Sequence, residues 1–140
     1  MENQELTVDN KTYTIELTRN QLAVISRDCD LLCRLHIGQL NEVASLFIGR
    51  IPATTTDESI ETYHKLKDAL TQLQPLVTGI SYPHASLGVG SKQAHPDHAI
   101  AYEISGTIEN YLHPQRDRDP LKLSPEPLPK VRLLQVESNL

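Results

Sequence analysis

The sequence predicts a mainly α fold with a small β component, an α+β molecule in which about three helices pack with N-terminal and C-terminal strands. Three observations carry this. Apolar residues recur at spacings of three and four along three stretches, each bounded by a cap residue or by glycine and proline. Both ends of the chain carry short stretches of strand-forming residues. Five of the nine prolines fall in "PQRDRDPLKLSPEPLP", which resists helix and inner strand and favours an extended arm. At 140 residues the chain fits one domain with a real core. The division expected is a helical domain with an N-terminal strand over residues 1–113. Residues 114–140 then form a proline-rich arm and a C-terminal strand, packed on that domain or exchanged between subunits.

Each element has its own warrant. In "KTYTIELT", Tyr13, Ile15 and Leu17 alternate with Thr12, Thr14 and Glu16, the period of a strand with one buried face. Thr18 and Gln21 have capping-box spacing, so a helix starts near Arg19. Leu22, Ile25, Cys29, Leu32, His36, Leu40, Val43 and Phe47 then keep helical phase until Gly49 and Pro52. This is read as one helix of about eight turns, in preference to two helices kinked at Gly38. In that straight helix Gly38 lies opposite the apolar seam, beside Arg27, Arg34, Asn41 and Ser45, where a ligand or another helix can approach the backbone. Thr55 and Glu58 open a second helix, with Ile60, Tyr63, Leu66, Leu70 and Leu73 on one side, ending about Gln74. The segment from Gly79 to Pro96 holds three of the six glycines and reads as a loop. Pro96 and Asp97 suit the start of a third helix, whose seam is Ile100, Ile104, Ile108 and Tyr111, closed by Pro114. "KVRLLQVES" reads as the last strand, and because a lone two-stranded ribbon is marginal it needs the first strand or another chain beside it.

Composition excludes several function classes. A net charge of −5 argues against a general binder of long nucleic acid, whose affinity comes from neutralising phosphates. No apolar run reaches the length of a membrane span, and "MENQELTVDN" lacks the order of a secretory leader. The two cysteines, Cys29 and Cys33, sit one helical turn apart, too far for easy bridging, so reduced thiols and a cytoplasmic setting are expected.

Nothing in the chain amounts to a catalytic signature, no cofactor motif is legible, and the chain reads as more like a binding protein than an enzyme. Cys29, Cys33 and His36 share a helix side with metal-ligand spacing, and they also fit the plainer description of small buried apolar groups. His95 and His98 in "HPDH" are half of a metal site or a capped helix start. "LGVGSK", ending at Lys92, offers glycine amides to an anion just before a helix N-terminus, although it lacks the P-loop spacing and also serves as a simple connection. Arg116 and Arg118 on the arm can close over an anion or stay solvated among aspartates.

"CRLHIGQL" and "GVGSKQAHPDHAIAYEI" also carry a resemblance. The chain resembles a loose group of small proteins of tailed phages and prophages. Their first helix tends to read Leu-Asp-x-Tyr-Ser-Arg-Ile-x-x-Gly-Gln-Phe, and a later helix follows a Gly-Ile or Gly-Val step with Ala-Tyr-Asp-Ile and an Arg-His pair. Arg34, Gly38 and Gln39 match the first pattern, with Leu40 for the phenylalanine and Cys33 where serine is usual. Gly88, Val89, Ala101, Tyr102, Glu103 and Ile104 match the second, with Asn110 and Tyr111 near the expected Arg-His. The resemblance covers about half the chain. It implies a phage origin, hence the cytoplasm of an infected bacterium, and proteins of this kind commonly act by binding. The expectation is a non-enzymatic homo-oligomer that sequesters a phosphate-bearing small molecule, such as a nucleotide signal of a host antiphage system. Arg34, Gln39, Lys92, His98, Tyr102 and Arg116 are the candidate ligand contacts, with no metal. The competing expectations are an inhibitor that docks on a host protein and, more weakly, a metal-dependent hydrolase using His95 and His98.

Overall fold

The computed structural model describes residues 11–116 and 121–134. Among them the protein is all helical, with four α-helices and two 3-10 segments and no strand. The expected β component is therefore corrected. Residues 11–17 carry no ladder, and Tyr13 and Ile15 stand 84% and 71% exposed. Residues 130–134 are likewise irregular, while the rest of the expected C-terminal strand lies outside the described residues. Alternation marks a face that would be buried if a partner strand were beside it, and among the described residues neither segment has one.

Helix α1 spans Arg19–His36, and its start is as its residues dictate. Thr18 accepts from the Gln21 amide at 3.2 Å while the Gln21 side chain accepts from the Thr18 amide at 2.8 Å. Its end differs from the expected eight-turn helix. The Gly38 amide donates to the Leu35 carbonyl and the Gln39 amide to the Arg34 carbonyl, both at 3.0 Å, around a Gly38 φ of +93°. This two-bond closure on a left-handed residue stops a helix. The apolar phase continues past it because the following 3-10 segment, Leu40–Phe47, still turns an apolar side inward, burying Ala44.

Helices α2, Thr56–Leu73, and α4, Asp97–Leu112, begin and end close to where their caps and prolines set them, but of the expected α4 seam only Ile108 is buried, alongside Ala101, Ser105 and Leu112, and Ile60 and Leu73 of the α2 seam stand exposed. Between them the single turn α3, Pro75–Thr78, closes on Gly79 at a φ of +70°. Helices α1 and α4 form the principal contact and run antiparallel. Arg19 at the start of α1 donates to the Leu112 carbonyl at the end of α4, whereas His36 at the other end stacks on His95. Small side chains let this pair come close: Ser105 of α4 meets Ser26 of α1, whose buried hydroxyl donates to Glu109 at 2.9 Å, and Cys33 and Ala101 are also buried on the two helices. Helix α2 packs instead on the 3-10 segment and on α3. The corner that joins the two halves is polar. Gln74, 2% exposed, accepts from the Asn41 amide at 3.2 Å and donates to the Pro83 carbonyl, while Gly38 lies against Thr78.

Candidate functional site

Because α1 stops at His36 and the 3-10 segment turns back, a cleft of about 370 Å³ opens between them. Arg27, Asp30, Leu31 and Arg34 line it from α1, Glu42, Ser45 and Leu46 from the 3-10 segment, and Arg50 from the chain just after. Arg34 lies in this wall with its charge already matched. Its Nε donates to Asp30 Oδ2 at 2.8 Å, and its Nη1 lies 3.6 Å from Glu42 Oε1 and 3.4 Å from Gln39 Oε1. The hydrogen bond to Asp30 holds the guanidinium pKa above its ordinary value. Arg34 thus links α1 to the 3-10 segment. Arg27 and Arg50 line the same cleft and, among the described residues, make no ion pair.

The six candidate residues do not converge. Arg34 and Gln39 meet at the cleft, whereas Lys92 is exposed on the glycine loop. His98, 3% exposed, accepts the Gly90 amide on Nε2 at 3.0 Å, and its Nδ1 donates to the His95 carbonyl at 2.8 Å. With both ring nitrogens engaged, His98 ties the glycine loop to α4, and the Gly90 amide is turned to that imidazole. Tyr102 is half-buried along α4. Arg116 lies past the far end of α4, about 20 Å along the helix from His98, paired with Glu109 at 3.4 Å.

The remaining chemistry-bearing groups cluster without forming a metal centre. His36 and His95 stack with ring centroids 5.0 Å apart, and burial, then the neighbouring His95, lowers the His36 pKa. Burial raises the pKa of both Cys29 and Cys33, which favours the protonated thiol. Among the described residues no group of three or more histidine, cysteine or acidic side chains is arranged to hold a metal ion. No described helix is long and apolar enough to cross a membrane.

No protein-family model, curated protein or solved structure matches the chain. The site therefore rests on its own geometry.

Two features of that geometry escaped the sequence. Arg27 and Arg34 stand seven residues apart, a visible signal, but Arg50 joins them only because the chain reverses after Gly38. Glu103, in the stretch "AYEI", is 2% exposed and clasps the arm, accepting from the Leu123 amide at 2.8 Å and the Ser124 hydroxyl at 2.8 Å, and from the Ser124 amide. Lys122 pairs with it at 3.3 Å. Its only sequence signal was a carboxylate beside an apolar seam.

Proposed function

We propose that this chain is a phage-encoded, non-enzymatic binding protein that sequesters a phosphate-bearing small molecule of the nucleotide-signal type in the cytoplasm of an infected bacterium. The observation that supports the reading is the gathering of three guanidinium groups, Arg27, Arg34 and Arg50, on one open cleft, where the carboxylates Asp30 and Glu42 pair with Arg34 and leave Arg27 and Arg50 beside Asp28 without an ion pair among the described residues. Arginine suits phosphate because its planar fork donates two parallel hydrogen bonds. The apolar side chains between them, Leu31 and Leu46, offer a surface to an organic ring. The binding form is proposed to be a homo-oligomer, since Leu73, Leu76, Val77, Ile80 and Tyr82 leave apolar surface exposed along ten residues.

Capture from a lysate tests the reading. The purified protein is incubated with extract of bacteria whose defence enzymes are active, then denatured, and the released small molecules are identified by mass spectrometry. An intact nucleotide in stoichiometric amount is expected. Turnover of the nucleotide would sink the proposal in favour of an enzyme.

The same exposed apolar stretch favours a second reading, an inhibitor that docks on a host defence protein. In that case the experiment recovers no nucleotide and one co-purifying host protein.

A further inference from the structure

On the reading of this chain as a capture protein, we infer that Arg27 and Arg50 grip the phosphate, that Arg34 positions the walls between them, and that one cleft holds a single nucleoside monophosphate. Charge decides the first part. Arg34 is committed to Asp30 and Glu42, one carboxylate on each wall, so a phosphate bound by it must displace two anions. Arg27 on α1 and Arg50 beyond the 3-10 segment line the same cleft and, among the described residues, make no ion pair. An anion placed between them gains two charge-assisted contacts and displaces only water.

Size decides the second part. Small-molecule sites span about 300 to 1,000 Å³, and this cleft, at about 370 Å³, lies near the lower bound. One base, one sugar and one phosphate suit that space, with the ring laid over Leu31 and Leu46. A cyclic dinucleotide, with twice those parts, leaves one half outside the cleft in solvent, where it gains no contact with these walls.

Titration calorimetry at low salt with three probes, adenosine monophosphate, inorganic phosphate and cyclic di-adenosine monophosphate, tests both parts. The monophosphate is expected to bind more tightly than inorganic phosphate, and the cyclic dinucleotide more weakly than the monophosphate. Arg27→Gln and Arg50→Gln alter exposed side chains, so both variants keep the fold, and each is expected to weaken monophosphate binding about 10-fold or more. Arg34→Gln is expected to lower the melting temperature and weaken binding less than either. If monophosphate binding survives both exposed-arginine substitutions and disappears with Arg34→Gln, the assignment of the gripping residues is overturned while the capture reading stands. If the cyclic dinucleotide is preferred, the size assignment is overturned. Absence of binding by all three probes overturns this inference, whereas the capture reading falls only if the lysate experiment also releases no small molecule.

Discussion

Gly38 does two jobs at once. Its φ of +93° belongs to the left-handed region where a side chain strains the backbone, and a Cβ built there meets Thr78 Cγ2 at 2.3 Å. The Thr78 methyl has little room to retreat, because its hydroxyl donates to the Gln74 carbonyl at 3.2 Å and accepts from the Ile80 amide at 3.1 Å. Gly38→Ala is therefore expected to destabilise the protein by about 2 to 5 kcal/mol, combining backbone strain and overpacking, as a lower denaturant midpoint. Adding Thr78→Ser, which removes only the methyl, should recover the steric part and leave the strain. A neutral Gly38→Ala would contradict the helix closure described here. Read as part of a straight helix, this glycine left a notch open to a ligand or to another helix. What approaches its backbone is α3 of the same chain.

At the scale of elements, the arm is held to α4 by one carboxylate. Burial raises the Glu103 pKa, but hydrogen bonds from Ser124, Leu123 and Lys122 outweigh it and leave the group below its ordinary value. A carboxylate depressed in the folded state contributes stability above its unfolded pKa of about 4.3 and loses it as pH falls through the folded value. The clasp is thus fully present at neutral pH and opens on acidification below that range. Amide hydrogen exchange at Leu123 and Ser124 reads it directly. Protection should fall in acid, and Glu103→Ala should abolish it at pH 7 while the α1 amides stay protected. Exchange unchanged in that variant would mean the arm is held by other contacts. The helices themselves were legible because capping residues and apolar spacing are local: Thr18 with Gln21, Thr55 with Glu58, and Pro96 with Asp97 all stand where helices begin. The break at Gly38 was not, since the apolar phase runs through it and the closure depends on space beside Thr78. The strands were misread for a related reason, as alternation in "KTYTIELT" is a local pattern whose outcome depends on a distant partner.

For the whole molecule, the exposed apolar stretch around α3 sets a prediction of its own. Leu76 is 82% exposed and Tyr82 63%, so replacing either with glutamate should change the stability of the single chain by no more than about 0.5 kcal/mol. Sedimentation equilibrium is expected to give a mass above the 15.7 kDa of one chain, and Leu76→Glu to bring it down towards that value. A wild-type protein that sediments as one chain would free this surface for a different partner. Of the six candidates grouped from the sequence, Arg34 and Gln39 meet because the chain turns at Gly38 between them. The others lie apart, since the places of Lys92, His98 and Arg116 depend on which helix faces which. The pairing of α1 with α4 has a temporal consequence. Contacts such as Ser26 with Ser105 and Arg19 with Leu112 join residues 79 and 93 apart, whereas α2 and the 3-10 segment are near neighbours. Loop closure is costly for the first and cheap for the second, and the cleft belongs to the second class, since α1, the turn at Gly38, the 3-10 segment and Arg50 follow one another in the chain. The cleft is therefore expected to take shape early, before α1 docks on α4 and the molecule closes.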